Sequence, residues 1–140
     1  MSDANGPGCI FCQIVADRSP AARVAEDEHT LAFLDIFPAT PGHTLVVPKT
    51  HARDLLDVSS DDLAACTAMA QRVARRLVSE LGADGVNLIN ACGAAAWQTV
   101  FHVHLHVVPR YSGRDQLVQP WTPAPGDPAE MTALAERLRA

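Results

Sequence analysis

Three histidines alternate with apolar residues in the run Phe101-His102-Val103-His104-Leu105-His106-Val107-Val108. Imidazole titrates near neutrality, so it can serve as nucleophile, proton carrier or metal ligand. Successive side chains of a β-strand point to opposite faces. A strand here would set the three rings on one side and Val103, Leu105 and Val107 on the other, in a core. Three uses of such a row compete. All three rings could bind one zinc ion. One ring could attack as a nucleophile while its neighbours manage charge and protons. The strand could also simply face solvent, a task that a mixture of Thr, Lys and Glu would perform as well.

The flanking residues favour attack. A loop of small residues from Asn90 to Ala96 leads to Gln98 and Thr99, an amide and a hydroxyl able to donate to phosphate oxygens. Loops of this kind also present backbone N–H groups to an anion. An imidazole beside an anion-binding loop points to attack on phosphorus, a phosphohistidine-type intermediate and its release by water.

Cys9 and Cys12 form a C-x-x-C pair. Thiolates at this spacing reach one zinc ion, which needs about four N or S ligands, and histidines would have to complete the set. A redox C-x-x-C is the rival, but the βαβ setting of a thioredoxin-like site is missing. Cys66 lies in an amphipathic pattern and reads as a small buried hydrophobe. Cys92 falls in a loop without an assigned role.

The elements that must position these groups can be read along the chain. Residues 1–8 read as a loose leader and 9–140 as one domain, with a motif-bearing core over 9–110 and an extension over 111–140. Strands are expected at about 30–35, 43–48, 86–90 and 100–108. The turn-rich Phe37-Pro38-Ala39-Thr40-Pro41-Gly42 joins the first two as a hairpin-like connection. Ser59 and Ser60 are good caps, with Asp61 and Asp62 following where a helix dipole favours negative charge. Leu63, Cys66, Ala70, Val73, Leu77 and Leu81 then recur at helical spacing, and Gly82 supplies a stop. A last short helix starts at Asp127-Pro128, a cap followed by proline at the first helical position.

Composition narrows the class further. A chain of 140 residues, 48% hydrophobic and 19% charged, suits a single globular domain. With 11 Lys and Arg against 16 Asp and Glu, the net charge of −5 opposes a broad nucleic-acid-binding surface. No apolar run approaches the ~20 residues of a membrane span. The polar stretch Met1 to Gly8 lacks an export signal, so a cytoplasmic location is expected.

The chain resembles the histidine triad (HIT) family, whose motif is His-φ-His-φ-His-φ-φ with φ apolar. His102-Val103-His104-Leu105-His106-Val107-Val108 fits it in full. Cys9-Ile10-Phe11-Cys12-Gln13-Ile14-Val15, Phe33-Leu34-Asp35-Ile36-Phe37-Pro38 and Pro41-Gly42-His43-Thr44-Leu45-Val46-Val47-Pro48-Lys49 also resemble family segments, in the same order. The likeness runs from about Cys9 to Arg110. His106, where the related nucleotidylyl transferases carry Gln, points to the hydrolase-like branches.

The resemblance implies an α+β, HIT-like fold: an antiparallel β-sheet with one long packed helix and a short C-terminal helix, paired into a homodimer. It implies hydrolysis of a purine nucleotide conjugate at its α-phosphate, with His104 as nucleophile. His106 would contact the phosphate and assist the leaving group, and His102 completes the triad. Gln98 and Thr99 match phosphate-contacting positions. Asp35 matches the residue that binds the ribose hydroxyls, Asn90 belongs to the nucleotide site, and Ile10, Phe11, Phe33 and Ile36 match the walls of a purine pocket. By likeness to a zinc-bearing bacterial-type subset close to the Hint branch, Cys9, Cys12, His51 and His102 would hold a structural zinc. His43 would fall near the active site as a supporting residue, and His29 in a surface turn. A phosphorylase using phosphate in place of water, and a non-catalytic nucleotide- or partner-binding protein, are the alternative functions. One departure stands out: Trp97 occupies a position where the family has small residues, often Gly, in a loop about a residue longer than usual.

Overall fold

The computed structural model describes residues 8–139. The leader expected over residues 1–8 therefore lies almost entirely outside the described residues, as does Ala140. Five strands form one antiparallel sheet in the order β1-β2-β3-β5-β4. They are β1 (Arg23–Glu26), β2 (Thr30–Leu34), β3 (Thr44–Pro48), β4 (Gly85–Ile89) and β5 (Leu105–Arg110). Helix α1 (Ile10–Val15) precedes the sheet, α2 (Ser60–Leu81) joins β3 to β4, and α3 (Pro128–Leu138) closes the chain. The α+β class, the long helix and the short C-terminal helix are as the sequence implied.

Strand alternation gives the sheet two faces, and both are covered. Ala32, Val46, Leu105 and Val107 pack against Cys66, Met69, Ala70, Val73 and Leu77 of α2. Leu31, Phe33, Leu45 and Val47 point the other way and pack against Cys9, Phe11 and Ile14. A sheet buried on both faces explains why β2 and β3 are continuous apolar runs with no polar alternation. Fully burying each large aliphatic side chain is worth roughly 1.5–3 kcal/mol.

Helix α2 starts and stops where its cap residues dictate. The Ser59 hydroxyl accepts from the Asp62 N–H, and Gly82 ends the helix at φ 68°, returning its N–H to the Leu77 and Val78 carbonyls. Asp127 caps α3 in the same manner, accepting from the Glu130 N–H. Unlike α2, α3 carries no buried residue.

Two expectations are corrected. Strand β1 was not foreseen, because it is four residues long and almost wholly exposed, so it shows no alternation to read. The histidine strand was expected over about 100–108 but begins only at Leu105. Upstream, the Val103 N–H bonds to the Ala52 carbonyl and the His102 carbonyl bonds to the His104 ring, so these groups never enter the sheet ladder. His102, Val103 and His104 are all buried. The three rings therefore do not share one strand face. Strand geometry places only His106, opposite Leu45 on β3 and on the α1 side of the sheet.

The connection from β2 to β3 brings more groups to the same side. The Asp35 N–H bonds to the His43 carbonyl, closing the turn, and the Thr40 hydroxyl and Tyr111 phenol tie it to the carbonyls of Pro109 and Pro41. Gly42 is required there. Its φ is 96°, and a Cβ would lie 2.7 Å from Leu81 Cδ1 and 3.0 Å from Leu77 Cδ2.

Candidate functional site

Backbone carbonyls fix which nitrogen of His102 and of His104 is protonated. His102 Nε2 lies 2.8 Å from the Pro48 carbonyl oxygen, an acceptor, so Nε2 carries the proton and Nδ1 is bare. In His104 the order is reversed: Nδ1 donates to the His102 carbonyl at 2.8 Å and leaves Nε2 bare. The edge of Phe11 packs on both rings, at centroid distances of 5.9 and 5.1 Å.

The bare Nδ1 of His102 faces two thiols and a second imidazole. It lies 3.4 Å from Cys9 Sγ, 3.6 Å from Cys12 Sγ and 3.2 Å from His51 Nδ1, while Cys12 Sγ is 3.3 Å from His51 Nδ1. Zinc with Zn–S near 2.3 Å and Zn–N near 2.0–2.1 Å sets tetrahedral ligand atoms about 3.3–3.8 Å apart. The four side chains thus stand nearly at the edge lengths of a zinc tetrahedron, and their ligand atoms lie within 4.8 Å of one another. Burial raises the Cys9 thiol above its ordinary pKa, a cost that a bound cation offsets. The set expected from the sequence, Cys9, Cys12, His51 and His102, is a structural zinc site with no place left for substrate.

A different cluster forms at the other end of the triad. His43 Nδ1 accepts from the Ala39 N–H at 3.0 Å, so the His43 proton resides on Nε2. That nitrogen lies 2.9 Å from His106 Nδ1 and 3.5 Å from Asp35 Oδ2. The shorter contact makes His106 Nδ1 the acceptor and leaves the His106 proton on Nε2. Asp35, His43 and His106 are close enough to be considered as metal ligands. The network opposes that use, because His43 Nε2 would first have to lose the proton that the Ala39 contact places on it. The cluster is a hydrogen-bonded chain that ends on the N–H of His106 Nε2.

Electrostatics keep His43, His104 and His106 neutral near pH 7. Burial lowers His104 and His43, and Asp35 opposes the shift in both. His106 falls to about 4, first through burial and then through the neighbouring His104 and His43. His104 and His106 stand 5.0 Å apart, ring to ring. The outcome is a bare nitrogen beside an N–H donor.

The remaining expected site residues divide. Asn90 is tied to the site, its amide donating to the His104 carbonyl at 2.9 Å, while its buried Oδ1 has no hydrogen-bond partner. Asp35 uses Oδ1 to cap its own turn at the Phe37 N–H and turns Oδ2 to His43. Phe11 and Phe33 are core residues in edge contact with each other, whereas Ile10 and Ile36 are exposed, Ile36 at 83%. Thr99 is exposed. Gln98 differs from its expected use as a phosphate donor. Both hydrogens of its buried amide are taken, by the Arg53 and Val100 carbonyls, and its oxygen accepts from the Gly93 N–H. It braces the loop. The groups that sequence reasoning missed are backbone ones, the Pro48 and His102 carbonyls and the Ala39 N–H, which no residue type announces. A groove of about 640 Å³ on the α2 side, lined by residues such as Val24, Leu34 and Arg72, shares no residue with either cluster.

A two-faced α+β domain whose histidine row serves a Cys/His zinc site at one end and a bare ring nitrogen in the middle defines a zinc-bearing, histidine-centred class. The HIT domain model matches residues 16–113. The chain belongs to the HIT family. A solved Streptococcus mutans structure is 41% identical, with a TM-score of 0.90 over 99% of this chain and 87% of its own. A zinc-bound histidine triad family protein from Mycobacterium smegmatis is 52% identical over 76% of this chain and 77% of its own, with a TM-score of 0.74. A histidine triad nucleotide-binding protein from Candida albicans is 28% identical over 94% of each chain, with a TM-score of 0.83.

Proposed function

We propose that this protein hydrolyses purine nucleotide conjugates at the α-phosphate through a nucleotidyl-histidine intermediate. The observation that carries the reading is the hydrogen bond from His104 Nδ1 to the His102 carbonyl, which leaves Nε2 with a free lone pair in a neutral ring. That nitrogen attacks phosphorus and the bond to the leaving group breaks; the His106 Nε2–H donates a hydrogen bond to the departing oxygen or nitrogen, which takes its proton from solvent water. Water then attacks the phosphorus of the intermediate and the P–N bond breaks, releasing a proton to solvent, a nucleoside monophosphate and free His104. Positioning and charge stabilisation carry most of such a transfer.

The nucleotide would lie across the α1 side of the sheet. Thr99 would contact the phosphate, and the open acceptor of Asn90 and the carboxylate of Asp35 would suit sugar hydroxyls. Ile10 and Ile36 would offer apolar surface to the purine, with Phe11 and Phe33 behind them. The Candida albicans relative is named for nucleotide binding, which supports the ligand class. The zinc is structural. It ties the segment from Cys9 to the sheet and holds the ring whose carbonyl orients His104.

A cytoplasmic homodimer with no nucleic-acid or membrane partner completes the reading. Among the described residues no helix is long and apolar enough to cross a membrane. The test is a panel of adenosine phosphoramidate, aminoacyl-adenylate and dinucleoside polyphosphate, assayed with and without inorganic phosphate. Release of AMP independent of phosphate is expected. Release of ADP only when phosphate is present would replace hydrolysis with phosphorolysis, and nucleotide binding without turnover of any conjugate would overturn the catalytic reading.

A further inference from the structure

Trp97 is the residue whose conformation its own type does least to explain. It ends the short 3₁₀ turn Ala94–Ala96 at φ 78° and ψ 14°, in the left-handed region. Glycine adopts that conformation freely, but a side chain with a Cβ is strained there. The surrounding loop over-determines the strain. The Gln98 N–H bonds to the Gly93 carbonyl and the Gln98 amide oxygen takes the Gly93 N–H, while Trp97 donates to the Ala94 carbonyl. The Gln98 amide then nails this ring of residues to the Arg53 and Val100 carbonyls. Strain held by a rigid frame is concentrated at functional positions.

Burial does not account for the indole, since the residue is 73% exposed. A tryptophan placed for core packing would have hidden its ring. Three exposed alanines, Ala94, Ala95 and Ala96, precede it. The loop is joined to the nucleophile through the bond from Asn90 to the His104 carbonyl. Thr99 follows two residues later, within about 7 Å along the chain.

We propose that Trp97 is a stacking platform for the leaving group, so that the conjugates preferred by this chain carry a second planar ring beyond the scissile phosphate. The inference rests on the proposed attack at the α-phosphate. It adds the leaving-group class: a second nucleobase, as in a dinucleoside polyphosphate, or an aryl amine. Stacking one base on an aromatic side chain is worth roughly tenfold in affinity.

The chain has two tryptophans, so Trp121→Phe leaves Trp97 as the sole indole reporter. With His104→Ala added to prevent turnover, AMP and diadenosine tetraphosphate are titrated by fluorescence and calorimetry. Diadenosine tetraphosphate is expected to quench the indole and AMP to leave it nearly unchanged. Adding Trp97→Gly, a substitution the positive φ favours, should weaken the two-base ligand about tenfold relative to AMP, whereas Trp97→Phe should retain most of the difference. An equal effect on both ligands, or on neither, while AMP still binds overturns the role of Trp97 alone. Failure of AMP itself to bind overturns the nucleotide-site reading and this inference with it.

Discussion

The two ends of the histidine row use one residue type in opposite ways. At the His102 end, the Pro48 carbonyl takes the Nε2 proton and turns Nδ1 toward two thiols and His51. At the His106 end, the Ala39 N–H occupies Nδ1 of His43 and sends a proton along the rings toward Nε2 of His106. His104 lies between them with its Nε2 free. A metal-facing ring and a ring that presents an N–H are thus set apart by single backbone hydrogen bonds, because a neutral imidazole has only one proton to place. The lesson is that the donor or acceptor behind a histidine determines its chemistry more than the histidine itself does.

The largest effect should come from the middle ring. His104→Ala is expected to lower kcat by at least about a thousandfold while AMP affinity changes little, since the ring supplies the attacking atom and little of the nucleotide surface. Single-turnover kinetics and calorimetry measure the two quantities, and a variant retaining most of its turnover would move the nucleophile elsewhere. Next comes the zinc end. Purified protein should hold about one zinc per chain by elemental analysis, and Cys9→Ser should lower Tm by more than roughly 10 °C, because structural zinc binding is folding free energy. Its kcat, measured where it is still folded, should fall far less than that of His104→Ala. His102→Ala should reduce stability and rate together, since it removes a zinc ligand and disturbs the segment that orients His104. If Cys9→Ser melted normally but lost turnover, the two ends would not be separate.

Most of the framework was legible in the sequence because local signals and burial agreed. Helix α2 has its cap, its dipole-matching aspartates and its glycine stop in the residues themselves, and the expected boundaries hold. The zinc ligands were legible through family likeness, with the Cys9–Cys12 pair, His51 and His102 converging from three distant stretches of sequence as implied. What escaped was chemistry carried by the backbone. Alternation placed His102 and His104 on a regular strand, yet the Val103 N–H and the His102 carbonyl are bonded outside the ladder, so the strand starts later. Gln98 looked like a phosphate donor from its type and place, and its amide proved fully engaged in bracing the loop. Strand β1 escaped for a third reason: with little burial it leaves no pattern to read.

At the His106 end, His43→Ala should cost kcat roughly ten- to a hundredfold, the usual range for a partner that orients a functional histidine. KM should change little, because His43 reaches substrate only through His106. Its pH profile should also change shape, since removing the ring frees His106 Nδ1 and lets its proton settle on either nitrogen. A rise in KM with unchanged kcat would make His43 a binding residue and dissolve the relay.

The smallest expected effect is on stability in acid. Burial, followed by the neighbouring His104 and His43, pushes His106 from about 6.5 down to about 4 in the folded protein. Between those values the unfolded chain binds a proton at this position and the folded chain does not. Stability from the neutral buried ring is therefore complete above about pH 6.5 and is lost as pH falls toward 4, with a slope of at most about 1.4 kcal/mol per pH unit. His43, lowered in the same direction by burial and opposed by Asp35, adds to the loss. Acid also releases zinc from its ligands, so the wild-type curve alone mixes both ends of the row. Replacing His106 with Gln removes the titrating ring and leaves the thiols and His51 in place. Urea unfolding at pH 7, 6 and 5 should give a shallower decline for His106→Gln than for wild type, by about 1 kcal/mol over that range after allowance for partial solvent screening. Coincident declines would show that acid acts through the zinc end alone, and His106 would then carry no strained neutrality.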